Sequence, residues 1–122
     1  MKLHASTATQ QNTFSGYGEG YVTVKGERIE KNAIVTPEQV LPWSAEGFDQ
    51  LAESDFEIFS GLDLEILLIG TAPKQRFPHP RLTRALAEKR VGIEAMDLQA
   101  ACRTYNILVA EGRRVAAALL FK

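Results

Sequence analysis

Few side chains in this chain combine a reactive type with a suggestive spacing, and they gather between residues 70 and 103. The stretch Gly70 to Phe77 follows an apolar run, precedes Pro80, and carries Thr71, Lys74 and Arg76. It lacks the Gly-Lys-Ser/Thr ending of a P-loop, so it is not a nucleoside triphosphate cradle. A crevice forms beyond the C-terminal ends of parallel strands in an open α/β sheet. If the strands over 64–69 and 91–96 run parallel, Gly70, Thr71 and Arg76 share an edge with the helix that Asp97 opens. The free N–H groups of that helix start, together with Arg76, would favour a small anion. The other reading of the same residues is structural: Arg76 caps carbonyls or pairs with an acid, and the loop binds nothing. Residue type and spacing alone leave both open.

Cys102 is the one cysteine, so no intramolecular disulfide can form. Leu98, Ala101, Cys102, Tyr105, Leu108 and Val109 recur at helical spacing as one apolar stripe. Within it a thiol behaves as a small hydrophobe, whereas an early helical position beside Arg103 would favour a reactive thiolate. The opposite stripe is a polar seam of Gln99, Arg103, Asn106 and Ala110. Arg103 and Asn106 either line the anion pocket or bond to neighbouring backbone. His4 and His79 are far apart, so neither a metal site nor a Cys–His nucleophile pair is expected, and no cofactor is. The glycines of Gly16-Tyr17-Gly18-Glu19-Gly20 precede a strand rather than a helix and read as turn residues. Six basic residues lie between Lys74 and Arg90 against one acid, Glu88. Without an aromatic platform among them they read as a solvated face or a protein contact, not a nucleic-acid surface.

The elements that position these residues follow from patterning. Tyr21 to Val24 reads as a strand, Lys25-Gly26-Glu27 as its turn, and Arg28 to Val35 as a returning strand. Trp43-Ser44 predicts a helix start, with Ser44 as N-cap and Trp43 and Phe48 as a hydrophobic staple. Ser54 and Glu57 have capping-box spacing. Leu64 to Ile69 suits a strand buried on both faces. A helix is predicted from Pro80 to about Lys89 with Leu82, Ala85 and Leu86 inward, then a strand over 91–96. Asp97 caps a helix over 98–111 that Gly112 stops, and a last strand covers 115–121, its direction undecided.

The chain has 122 residues, one domain's worth, with 45% hydrophobic and 24% charged residues. Residues 1–12 are expected to be a flexible tail and 13–122 a single α/β domain. The N-terminus has no apolar run of the secretory kind, and no stretch approaches the ~18 apolar residues of a membrane span, so a cytoplasmic protein is expected. Net charge is −1, yet Met1 to Glu65 carries 4 basic and 11 acidic residues while Ile66 to Lys122 carries 10 and 4. That asymmetry either creates opposed patches, which could drive homodimer formation, or cancels locally where the halves interleave.

The segment GIEAMDLQAACRTYNILVAEGRRVAAAL, from Gly92, together with Trp43, the strand LEILLIG, Thr71 and Arg76-Phe77-Pro78, resembles the small Mth-type domain of unknown function. That family includes uncharacterised bacterial and archaeal proteins and the mitochondrial respiratory complex I assembly factor three. The resemblance spans roughly Phe14 to Phe121. It implies a three-layer α/β fold in which a hairpin-rich N-terminal part precedes β-α-β-α-β on a mixed, largely parallel central sheet. This chain has Gly70-Thr71-Ala72 where the family usually reads Gly-Thr-Gly, so the freedom of the second glycine is missing. No activity or cofactor comes with the resemblance. It implies a non-catalytic protein-binding or assembly module with a protein partner; the competing function is a small-molecule or anion site at Gly70–Arg76, with or without catalysis.

Overall fold

Eight strands form two sheets in a computed structural model that describes residues 11–121. The first sheet is an antiparallel meander of β1 (Phe14–Gly18), β2 (Tyr21–Val24) and β3 (Glu27–Ile29). Its tight turns are set by positive φ at Gly20 and at Lys25-Gly26, a conformation that the two glycines adopt at no steric cost. The second sheet contains β4 (Ala33–Val35), β5 (Val40–Pro42), β6 (Ile66–Thr71), β7 (Gly92–Asp97) and β8 (Val115–Leu120), in the order β5-β4-β8-β6-β7. Strand β6 is parallel to both β7 and β8, and β4 is antiparallel to β5 and β8. The expected mixed, largely parallel sheet is therefore present, and the last strand runs with β6.

Burial on both faces explains the composition of β6 and β8. Leu67 and Ile69 face a cluster with Trp43, Phe56, Phe59, Leu82 and Leu86, and Leu68 faces another with Cys102 and Tyr105. Strand β8 alternates likewise, its small Ala116, Ala117 and Ala118 admitting both layers closely. One outer layer comprises 3-10 segments over Phe48–Gln50, Glu53–Gly61 and Pro80–Leu82, plus the short helix α1 (Arg84–Glu88). The other is the meander with helix α2 (Leu98–Ala110). Asp97 Oδ1 accepts from the Ala100 N–H at 2.9 Å, the expected N-cap, and Gly112 at φ 78° follows the helix end.

Several local expectations fail for identifiable reasons. No helix opens at Ser44; its hydroxyl donates to Asp55 Oδ1 at 2.7 Å, and the chain stays extended to a single 3-10 turn at Phe48. Trp43 is buried as expected, but against Phe56 and Phe59, edge to face, with Nε1 donating to the Asp55 carbonyl at 2.7 Å. The next turn is capped at Ala52, whose N–H donates to the carboxylate of Asp55 three residues on, rather than by Ser54 with Glu57. The predicted helix over 80–89 divides into a 3-10 turn and α1, which turns Ala85 to solvent while Leu82 and Leu86 stay inward. Arg28 to Val35 does not continue as one strand: it splits between the two sheets at Asn32, whose side chain bonds the Ala45 carbonyl and the Phe121 N–H.

Asn12, placed with the tail by composition, is tied to Thr36, Pro37 and Tyr105 by hydrogen bonds. His4 and most of the expected tail lie outside the described residues. Part of the charge asymmetry is met by pairs between the two halves. Arg76 pairs with Asp49, Arg113 with Glu65, and Arg114 with Asp63 and Glu65, each joining the basic half to the acidic one. Among the described residues no helix is long and apolar enough to cross a membrane.

Candidate functional site

The parallel register sets Thr71 beside Asp97 on one side and Leu120 on the other, so the edge beyond β6 exists as expected. A shallow cavity of about 640 Å³ opens there, bordered by Glu19, Lys74, Gln75, Asp97 and Gln99. Arg76 and Arg103, the two cations assigned to an anion site, do not line it.

Each candidate residue is occupied with a local task. Gly70 lies under helix α2: a Cβ there would stand 2.8 Å from Ala101 Cβ and 3.2 Å from Leu119 Cδ2. This glycine permits close helix–strand approach rather than ligand approach. The Thr71 hydroxyl donates to the Lys74 carbonyl and accepts from the Arg76 N–H, folding the loop back on itself. The Arg76 guanidinium turns the other way, bonding Asp49 Oδ1 at 2.9 Å and lying 4.1 Å over the Phe48 ring. Sequence reasoning named pairing with an acid as one of two uses for Arg76, and this geometry is that use. The partner, 27 residues away, carried no sequence signal.

Asp97 borders the cavity, but its carboxylate already takes the helix N–H that an anion would seek, and adds a like charge. Arg103 Nη1 donates to the Tyr17 hydroxyl at 3.2 Å, a contact that strengthens its hold on its proton. Asn106 spans strand β1, accepting from the Phe14 N–H and donating to the Phe14 carbonyl. It thus bonds backbone rather than lining a pocket. His79 accepts from the Arg81 N–H through Nδ1 as a turn cap.

Cys102 is 1% exposed. Burial pushes its thiol up to about 12, against the weaker opposing pull of Arg103. It belongs to the core with Tyr105, whose phenol is likewise raised, chiefly by burial, and donates to the Asn12 carbonyl. No group of three or more His, Cys, Asp and Glu among the described residues could hold a metal ion. In contrast to these internally bound polar groups, Phe77 on the same loop is 69% exposed.

Together these features define a three-layer α/β domain in which Thr71, Gln75, Arg76 and Asp97, at the parallel-strand edge, are all bound internally. The chain belongs to the family described as "Protein of unknown function (DUF498/DUF598)", whose profile matches residues 14–120. It is similar to the mouse NADH dehydrogenase [ubiquinone] 1 alpha subcomplex assembly factor 3, at 30% identity over 98% of this chain and 66% of that protein. The chain spans 55% to 66% of the length of the mouse, bovine and rat assembly factors it matches. Among solved structures it is similar to a Bordetella parapertussis protein at 43% identity and TM-score 0.86, covering 93% of this chain and 98% of the other. A Bordetella pertussis protein described as a Mth938-like domain aligns at 36% identity and TM-score 0.79, over 92% and 87% of the two chains.

Proposed function

We propose that the chain is a non-catalytic protein-binding module of the assembly-factor kind, docking a protein partner through the face around Phe77. One observation carries this reading. The loop beyond β6 ties Thr71 to its own backbone, Gln75 to the Ala95 carbonyl and Arg76 to Asp49 and Phe48, while presenting Phe77 to solvent. Lys74 is the cation this loop leaves at the cavity, where Glu19 and Asp97 border the same space and disfavour an anion, whereas a protein contact gains from an exposed aromatic on a braced loop. The names of the assembly-factor relatives support the same class of role. A cytoplasmic setting belongs to the proposal.

The test is affinity purification of the tagged chain from its native host, with mass spectrometry, beside Phe77→Ser. A protein partner recovered with the parent and lost with Phe77→Ser is expected. Equal recovery with both would place the contact elsewhere, and recovery of the chain with a stoichiometric small molecule instead would overturn the reading.

A further inference from the structure

Each of the two sheets has two outer strands, and they differ in what they leave open. On β1 the side chain of Asn106 takes both the N–H and the carbonyl of Phe14. Strand β3 has three residues, two of them the exposed charged Glu27 and Arg28. Strand β5 also has three, ending in Pro42, which has no N–H to donate. Strand β7 has six residues and pairs on one side only, with β6.

Its hydrogen-bonding pattern follows from register. The Gly92 N–H donates to the Glu65 carbonyl at 2.8 Å, so Gly92, Glu94 and Met96 turn their backbone groups toward β6. Ile93, Ala95 and Asp97 turn theirs outward. The side chain of Gln75 verifies the direction: its Nε2 donates to the Ala95 carbonyl at 2.9 Å, in the place a neighbouring strand would occupy. Among the described residues, nothing meets the outward N–H groups of Ile93, Ala95 and Asp97 or the Ile93 carbonyl. The Asp97 carbonyl, as N-cap, belongs to helix α2. An edge of this length with open groups is a template for another strand.

We propose that β7 is a self-association edge: a second copy pairs its own β7 antiparallel to it about Ala95, joining the two sheets, with Gln75 as the competing cover. The edge is self-complementary, as a two-fold contact requires. Centred on Ala95, each Ala95 N–H meets the carbonyl of the partner subunit's Ala95, and each Asp97 N–H meets the carbonyl of the partner subunit's Ile93. Glu94 then stands directly opposite the partner subunit's Met96, with the two Glu94 side chains at the longer diagonal spacing. Charge selects the same orientation. Lys89 and Arg90 stand three and two residues ahead of the strand, and Asp97 ends it, all exposed. Antiparallel pairing lays the basic end of one copy along the acidic end of the other, whereas parallel pairing would set like beside like. Gln75 is itself exposed and can swing away, so it weakens the contact without forbidding it.

Sedimentation of the purified chain from micromolar to millimolar concentration tests this, independently of the Phe77 reading. A monomer–dimer equilibrium is expected, tightened about tenfold by Gln75→Ala, which frees the Ala95 carbonyl. Ala95→Pro should abolish it while leaving the β6 ladder intact, because that N–H faces away from β6. Amide hydrogen exchange on the unmodified chain decides the matter even if that variant fails to fold. The Ile93, Ala95 and Asp97 amides should gain protection with protein concentration, while Gly92, Glu94 and Met96 are protected throughout. A chain monomeric at all concentrations would overturn the proposal, as would a dimer whose outward β7 amides still exchange freely. Protection of those amides only by a different protein, with the chain still monomeric, would assign the edge to another strand donor and equally sink self-pairing.

Discussion

Gly70 of β6 and Ala101 of helix α2 face each other so closely that a methyl on the glycine would stand 2.8 Å from the alanine's own. With Leu119 Cδ2 a further 3.2 Å neighbour, the helix is seated on the sheet by the absence of one side chain. Gly70→Ala is therefore expected to destabilise the fold by about 1–3 kcal/mol through overpacking. Ala101→Gly in the same chain should recover part of that loss despite its own helix cost. Denaturant titration of the three variants measures the coupling; simple additivity would mean that the helix shifts freely.

Trp43 is 6% exposed, stacks edge to face on two phenylalanines and donates its indole N–H to a backbone carbonyl. Trp43→Ala should cost about 3 kcal/mol or more, and Trp43→Phe less, since it keeps an aromatic ring in the pocket and loses the hydrogen bond and part of the packing. A loss below about 1 kcal/mol for the alanine variant would mean that this pocket collapses without penalty.

The Cys102 thiol should resist a neutral alkylating reagent in the native chain and react readily once denatured. Its proton is held to about 12, above the usual value of 9.0, because burial disfavours the thiolate. The unfolded chain thus releases this proton first. The stability it contributes is complete below pH 9 and falls as pH rises toward 12, by about 1.4 kcal/mol per pH unit at most. The buried phenol of Tyr105 acts in the same direction. Urea titrations across that range should show Cys102→Ala with a shallower decline than the parent; identical slopes would contradict the assignment.

Arg76 pairs with Asp49 across side chains 38% and 74% exposed. Ion pairs this wet contribute little, so Arg76→Ala should shift stability by about 1 kcal/mol or less. Sulfate titrated against the parent should give no saturable shift at the amides following Asp97. Saturable binding abolished by Arg76→Ala would restore the anion site.

Asn106→Leu should loosen the meander selectively, because two hydrogen bonds to Phe14 backbone would be left without partners. A global cost of about 1–3 kcal/mol is expected. Faster amide exchange at Phe14 than in β6 would show the effect to be local; uniform acceleration would argue that the two sheets unfold as one.

Interactions reaching only a few residues along the chain were legible. The apolar run of β6, the Asp97 cap, the stripe that buries Cys102 and the Gly112 stop each depend on neighbours within about one helical turn or on strand periodicity. The resemblance supplied the layering, which periodicity alone left unspecified. Ser44, by contrast, has every local mark of an N-cap, yet Asp55 offers its hydroxyl an ionised acceptor at 2.7 Å. That acceptor is 11 positions away, and a charge-assisted bond outweighs a cap.

The same distinction governs the candidate site. By itself the sequence marked where the strand ends and where the helix starts, since both are local properties. Only the tertiary structure decided what the residues there do. Arg76 finds Asp49 27 positions away, Asn106 finds Phe14 92 positions away, and Gln75 reaches the edge of a strand 20 positions on. Such pairings are set by which surfaces the packed core brings within about 3 Å. A polar side chain takes the partner that packing delivers, and no spacing rule encodes that partner.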